Sequence, residues 1–219
     1  MTRPDLAFDS LSLSYHNKDA KIKHIIEANK IVRKAKASVS CVQFGHIGNF
    51  EDLKILTFTD ASHLTVEEKS KGVSGKIIFL SNKNESLVSP LHWKSKTIVQ
   101  ACTSAKAAET RAAYASCDDT VGLARSINEM YTGRRGESQI ETTLKSDSQS
   151  LKDTLYSTKQ IEEKMLRPTI LALKQMLFRK QIGRFDWVES RECLADVLTK
   201  KGAGGKDKLL EIIRTGKNL

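Results

Sequence analysis

The sequence of 219 residues contains no apolar stretch that could span a membrane, since no run of about 18 apolar residues occurs in it. Its first residues, MTRPDLAFDS, lack the apolar core of a secretory signal peptide. The 4 cysteines are scattered along the chain and form no CxxC pair. Scattered thiols argue against a zinc site and fit a reducing compartment. We therefore expect a protein that is intracellular, is not secreted and has no membrane partner.

Acidic residues are too few to balance the basic ones, with 36 Lys and Arg against 26 Asp and Glu and a formal net charge of +10. Residues 1–50 hold 8 basic and 4 acidic side chains, and residues 151–219 hold 15 basic and 9 acidic ones. Residues 51–150 hold 13 of each. A basic excess at both ends indicates a polyanionic partner, nucleic acid first. Simple solubility explains the same charge equally well.

Hydrophobic patterning predicts an α/β protein whose first three strands are antiparallel. The segments KILTFTDAS, GVSGKIIFLSN and LVSPLHWKSK are rich in strand-forming residues and are joined by polar turns. Two further strands are predicted at 140–148 and 183–188, each after a helical region. The order of elements predicts a mixed five-stranded sheet of three antiparallel strands and then two parallel additions, with helices on its faces.

Two elements are predicted before the first strand. Residues 19–37 read as a basic amphipathic helix, and residues 39–44 as a short strand. One face of the helix is formed by five residues: Ile22, Ile25, Ile26, Asn29 and Val32.

The remaining helices follow the third strand. An Ala-rich helix is predicted at 104–117, with a junction at CDDT and a continuation over 120–131. A helical region with a break or a start at Pro168 is predicted at 149–181. A short helix around 193–200 and a terminal helix after the GAGG segment complete the chain.

Four carboxylates fall at related places in this order of elements. Asp60 ends the first strand and Asp147 ends the fourth. If the fourth strand lies parallel beside the first, both side chains emerge at the sheet edge where ligands bind in open α/β folds. Glu109 lies on the Ala-rich helix, and Asp196 lies in the short helix after the fifth strand. The helix face around Glu109 carries small residues that allow close packing on the sheet: Ala105, Ala112, Ala113 and Ser116.

Carboxylates that converge without basic partners repel one another, and divalent cations are the usual solution. Oxygen ligands alone select hard cations such as Mg2+. Two such ions about 4 Å apart suit phosphodiester hydrolysis. Each acid also has an ordinary interpretation, Asp60 and Asp147 as turn formers and Glu109 and Asp196 as solvated helix acids.

Two weaker signals concern nucleic acid. Lys164, Arg167 and Lys174 are predicted to share a helix face, which is either solvated or follows phosphates. Trp93 and Trp187 either stack on bases or belong to the core.

Several motifs of the sequence match one known family. They are FTDAS, VSGKIIFLSN, HWKSKTIVQACTSAKAAE, LKSDSQS and FDWVESRECLADVLTK, of which ADVLTK is the most specific. With these motifs the chain resembles the ribonuclease H domain of copia-type LTR retrotransposon polyproteins. The opening TRPDLAF and the basic helix after it look like the segment that joins the reverse transcriptase to that domain.

The resemblance implies a division of the chain and a site. It implies a basic helical connection segment over 1–50, a ribonuclease H-like domain over 51–201 and a C-terminal helix or tail over 202–219. It further implies that four acids are both catalytic and metal-binding, namely Asp60, Glu109, Asp147 and Asp196. Their metal would be two Mg2+ ions, which Mn2+ can replace.

The same resemblance implies hydrolysis of the RNA strand of RNA/DNA hybrids. The implied partners are the hybrid and the upstream reverse transcriptase domain of the same polyprotein. The implied location is a cytoplasmic particle or the nucleus. The alternative is a catalytically inactive ribonuclease H-like module that binds nucleic acid, and a further one is an unrelated basic adaptor whose acids match by accident. A ribonuclease H-like strand order would favour the first two interpretations and argue against the unrelated adaptor.

Overall fold

The computed structural model of the protein describes residues 3–37, 42–63, 72–100 and 102–218. One mixed sheet has the order β3-β2-β1-β4-β5. Its strands are β1 (Lys54–Ser62), β2 (Val73–Ser81), β3 (Val88–Thr97), β4 (Glu141–Ser146) and β5 (Arg184–Trp187). Adjacent strands among the first three are antiparallel to one another, whereas β4 is parallel to β1 and β5 is parallel to β4. The predicted mixed sheet, with three antiparallel strands and two parallel additions, is confirmed.

Six α-helices accompany the sheet in the described part of the chain. They are α1 (Ala7–Ser14), α2 (Ile22–Ala37), α3 (Ala105–Thr132), α4 (Gln149–Tyr156), α5 (Arg167–Phe178) and α6 (Lys206–Thr215). Short 3-10 helices span Pro4–Leu6, Phe50–Asp52, Ser190–Glu192 and Leu194–Leu198. None of the described helices combines the length and the hydropathy that a bilayer crossing requires.

The two faces of β1 are covered by different layers. Leu56 and Phe58 belong to a core cluster that includes Leu194–Leu198 and the buried face of α6. Ile55 packs on the other face, in a cluster with Ala124 of α3. Because side chains alternate along a strand, one central strand holds both layers together.

Helix α3 crosses the sheet as one uninterrupted helix of 28 residues, so the predicted junction at CDDT is wrong. Ser116 donates a hydrogen bond to Thr59 Oγ1 at 2.9 Å, and the hydroxyls of Thr120 and Thr57 lie 2.6 Å apart. These buried contacts with β1 continue through the supposed junction. Burial of one helix face therefore outweighs the capping tendency of Asp118.

The small residues predicted to press on the sheet do so with one exception. Ala112, Ala113 and Ser116 are buried in α3, whereas Ala105, in its first turn, is exposed. Ser104 caps the helix just before its first residue, and its hydroxyl accepts a hydrogen bond from the Ala107 amide at 3.1 Å. This N-cap fixes the start of the helix one turn before Glu109.

The helix start predicted at Pro168 is confirmed, since α5 begins at Arg167 and Pro168 lies in its first turn. The rest of the region 149–181 holds α4, and residues 157–166 between the two helices are not α-helical. Two other predicted elements differ from the structure. The short helix around 193–200 is a 3-10 helix at Leu194–Leu198. Residues 42–44 are not part of a strand, and the rest of the predicted strand over 39–44 lies outside the described residues.

The first two helices differ in how they are packed. Leu6 and Ala7, at the start of α1, are buried in the described structure, and Ala7 belongs to the core cluster that contains Leu194–Leu198. In α2 no described residue is buried, and Ile22 is 78% exposed. The predicted apolar face of α2 is thus at the surface. The proposed domain boundaries after residues 50 and 201 stay predictions.

Candidate metal centre

The carboxylates of Asp60, Glu109 and Asp147 meet at the carboxyl end of β1 and β4. One oxygen atom of each lies within 4.8 Å of the others. Asp60 and Asp147 come together because β4 pairs in parallel with β1, with Lys145 opposite Phe58. Glu109 reaches them from α3, which packs across β1. The parallel pairing expected from the sequence is what brings these acids to one edge of the sheet.

Asp60 is almost fully buried, with 1% of its surface exposed. The Thr199 hydroxyl donates a hydrogen bond to its Oδ2. Burial raises the pKa of Asp60 to about 6, although the hydrogen bond from Thr199 and the charge of Lys200 act in the opposite direction. A buried carboxylate with this raised pKa is stabilised in its charged form by a cation.

Glu109 is the most perturbed acid of the group. Its Oε1 accepts a hydrogen bond from the Ala61 amide at 3.3 Å, while its Oε2 is buried and has no hydrogen-bond partner among the described residues. Burial, together with the negative charges of Asp60 and Asp147, raises the pKa of Glu109 to about 9. An oxygen atom without a donor, beside two more carboxylates, fits a hard divalent cation.

Asp147 follows β4 directly and is half-buried. Its Oδ2 accepts a hydrogen bond from the Ser190 hydroxyl at 2.8 Å. Its backbone carbonyl accepts one from the Trp187 indole at 3.0 Å. The chain around the end of β5 therefore holds both the backbone and the side chain of this acid in place.

Asp196 lies beside this group rather than within it. The set of three mutually close oxygen atoms does not include it. Its Oδ1 accepts a hydrogen bond from the Lys200 ammonium, and the same ammonium lies 3.8 Å from Asp60 Oδ2. Three of the four predicted acids are brought together, and the fourth is linked to them through a lysine. The expectation that the acids converge without a basic partner is wrong.

Sequence reasoning missed Thr199 and Lys200 as parts of the site. Burial lowers the pKa of Lys200, but its hydrogen bond to Asp196 and the charge of Asp60 outweigh burial, so the pKa is raised. The available signal was the spacing, because a basic residue four positions after Asp196 is placed for an ion pair.

Gly75 was also missed, and it allows the Asp196 segment to approach the sheet. It pairs with Asp60 across β1 and β2. A Cβ atom at Gly75 would lie 2.7 Å from Thr199 Cγ2 and 2.8 Å from the Ala195 carbonyl. Real Cβ atoms do not approach backbone this closely, so only glycine permits this packing.

We expect Gly75→Ala to push Leu194–Leu198 away from β2 and to lower the free energy of unfolding by about 1–3 kcal/mol, as overpacking of a core does. Urea denaturation measures the change. The matched control is Gly122→Ala, since a Cβ at Gly122 meets nothing within 4 Å and alanine is the better helix former. Equal stability of the Gly75→Ala variant and wild type would contradict the close-packing account.

Of the three residues predicted to share a helix face that contacts nucleic acid, Arg167 and Lys174 do so in α5, and Lys164 lies outside the helix. Lys164 precedes α5, Arg167 is its exposed first residue, and Lys174 is half-buried and donates a hydrogen bond to the Ser157 carbonyl. Their role in binding stays a prediction. Of the two tryptophans, Trp93 packs partly against the core and Trp187 is 42% exposed beside Asp147.

No family model and no curated protein sequence matches the chain. Among solved structures, the LC11 ribonuclease H1 in complex with an RNA/DNA hybrid has a TM-score of 0.50 and 16% sequence identity, over 72% of this chain and 99% of that chain. The chain has a ribonuclease H-like fold.

Two further solved structures are similar to parts of the chain. Ribonuclease H1 of the archaeon Halobacterium salinarum is 14% identical over 72% of this chain and 98% of that chain, with a TM-score of 0.48. The protease-reverse transcriptase of prototype foamy virus is 13% identical over 83% of this chain and 23% of that chain, with a TM-score of 0.42. Sequence identities this low carry no information on function.

Proposed function

We propose that the chain is a metal-dependent endonuclease that hydrolyses the RNA strand of RNA/DNA hybrids. The observation that carries this proposal is the meeting of Asp60, Glu109 and Asp147, with one oxygen of each within 4.8 Å of the others. Glu109 Oε2 is buried there with no hydrogen-bond partner in the described part of the chain. The ribonuclease H-like fold supports it, because the LC11 ribonuclease H1 of similar fold is in complex with such a hybrid.

Asp60, Glu109 and Asp147 would hold the metal, and Asp196 would add a ligand from the side of Lys200. We propose two Mg2+ ions, which Mn2+ can replace, because the donors are carboxylate oxygens throughout. When bound, such ions activate water and stabilise the leaving oxygen in phosphodiester hydrolysis.

The chain's own residues fix where the carboxylates point. The Thr199 hydroxyl orients Asp60, and the Ala61 amide orients Glu109. Water attacks the scissile phosphorus, and the ribose 3′ oxygen leaves. We assign Glu109 to the region near the ribose 2′-OH, the group that distinguishes RNA from DNA.

The wider context that we propose is a copia-type retrotransposon polyprotein with an upstream reverse transcriptase domain. The motif ADVLTK supports it, since its residues Asp196, Thr199 and Lys200 all lie at the carboxylate site. The exposed isoleucines of α2 also support it, because an adjoining domain would cover that apolar face. In this context the protein acts in a cytoplasmic particle or the nucleus.

The experiment that tests the activity is cleavage of an RNA/DNA hybrid labelled on each strand in turn. We expect Mg2+ to support cleavage of the RNA strand, and excess EDTA to stop it. A DNA duplex of the same sequence is the matched substrate control and should remain intact. If the protein binds the hybrid but cleaves it with neither Mg2+ nor Mn2+, the inactive binding module is the correct interpretation.

A further inference from the structure

Lys200 places a positive charge inside the acidic site. Its ammonium donates a hydrogen bond to Asp196 and lies 3.8 Å from Asp60 Oδ2. The preceding residue, Thr199, is buried and donates its own hydrogen bond to Asp60. Thr199 therefore contacts Asp60 through a neutral hydroxyl, and Lys200 contacts Asp196 through a charged ammonium.

The backbone that carries Lys200 is fixed, but its side chain is free to leave. The 3-10 helix Leu194–Leu198 is buried and packs against Gly75 of β2, which anchors the chain just before Lys200. The Lys200 side chain is nevertheless 43% exposed to solvent. A lysine has a flexible four-carbon stem and a strongly hydrated head, so its ammonium can exchange a carboxylate for water without disturbing the backbone.

We propose that Lys200 is a built-in competitor for the second metal ion. Its ammonium neutralises Asp196 while that part of the site holds no metal, and a second divalent cation binds there only when the ammonium moves away. The first cation would bind at Asp60, Glu109 and Asp147, and the ammonium lies 3.8 Å from Asp60 but gives its hydrogen bond to Asp196. This inference rests on the proposed function, since it takes the acidic group as a metal site.

The competition follows from charge and space. A divalent cation and an ammonium at the same carboxylate repel each other, and the repulsion is strong where burial limits screening by water. Asp196 is 9% exposed and Asp60 is 1% exposed, so solvent screens this side poorly. Removing the ammonium should therefore strengthen metal binding. In the metal-free protein the same change leaves the negative charge of Asp196 and Asp60 less neutralised.

Calorimetric titration of the metal-free protein with Mn2+ alone tests the proposal without substrate or activity. In the variant Lys200→Met the stem keeps its length and loses the charge. We expect its weaker Mn2+ site to bind at least about tenfold more tightly than in wild type, a difference of about 1.4 kcal/mol. We also expect a lower melting temperature than wild type in EDTA, and a larger rise when Mn2+ is added.

Two further variants serve as controls. Lys200→Arg keeps the charge and should titrate as wild type does. Lys201→Met removes a neighbouring charge that lies in a cleft with α1 and α2, and it should also leave Mn2+ binding unchanged. Binding by Lys200→Met that equals wild type, or that is weaker, would overturn the competition alone. Failure of every variant and of wild type to bind Mn2+ would overturn the proposed function and the competition together.

Discussion

Replacing Asp60 with Asn is expected to lower the rate of RNA cleavage by more than about 100-fold, because even outer-shell partners of a metal site commonly contribute 10–100-fold. The substitution removes the charge of the most buried acid while its carbonyl oxygen can still accept the hydrogen bond from Thr199. The fold should therefore survive. Removing a buried charge that burial disfavours should leave the metal-free protein at least as stable as wild type.

The measurement is a single-turnover cleavage assay with Mg2+, accompanied by hybrid binding and circular dichroism. Binding should persist, since phosphate contacts come from lysine and arginine. The matched control is Asp118→Asn, which alters an exposed acid of α3 and should cleave at the wild-type rate. Wild-type cleavage by Asp60→Asn would show that Asp60 serves only as a turn residue.

Replacing Glu109 with Gln is expected to stabilise the metal-free protein near pH 8 by at least about 2 kcal/mol, since each unit of pKa shift corresponds to about 1.4 kcal/mol. The pKa of Glu109 is raised from 4.5 to about 9 by burial and by the charges of Asp60 and Asp147. At pH 8 the folded protein therefore keeps a proton on Glu109 that the unfolded chain has lost. Glutamine is neutral at every pH and avoids this penalty.

The sign of the pH dependence follows from which state binds more protons. Between pH 4.5 and about 9 the folded metal-free protein binds more protons at Glu109 than the unfolded chain does, so its stability falls as the pH rises. Asp60 adds a smaller fall between 3.8 and about 6. In the Glu109→Gln variant the fall should end near pH 6, where the contribution of Asp60 is complete.

Urea denaturation in EDTA, at several values from about pH 5 to about pH 8, measures both curves. Mg2+ should reduce the difference in unfolding free energy between wild type and Glu109→Gln, because the ion stabilises the ionised carboxylates of wild type. Glu141→Gln is a suitable control, as Glu141 is an exposed glutamate at the start of β4. Parallel curves for wild type and Glu109→Gln would mean that Glu109 is ionised without cost, and would remove the main electrostatic argument for a cation.

The sheet was predictable because its signals are local. Strand-forming runs gave all five strands, together with a predicted strand over 39–44 whose described residues are not in a strand. The parallel pairing of β4 with β1, on which the predicted meeting of the acids depended, is observed. Helix α3 was predicted with a false junction, since Asp118 and Asp119 resemble a capping site in isolation. Only the contacts of Ser116 and Thr120 with β1 show that the helix continues.

The part of the site that the sequence did not reveal depends on contacts between distant segments. The lack of a side chain at Gly75 matters only because Thr199 packs against it. Lys200 is one of 36 basic residues, and its spacing four positions after Asp196 does not by itself show that it lies at the acidic site. Its importance follows from the position of Asp60, which a distant part of the chain supplies.

The docking of Leu194–Leu198 against Gly75 also determines when, during synthesis of the chain, the acidic site can form. Domains fold as units while the chain emerges from the ribosome, N-terminal parts first. Strands β1, β2 and β3 and helix α3 emerge before Asp196 and Lys200 do. A ribosome that stalls before residue 194 would therefore present most of the sheet without the segment that completes the acidic site. The acidic site is therefore complete only after the ribosome has synthesised the chain through Lys200.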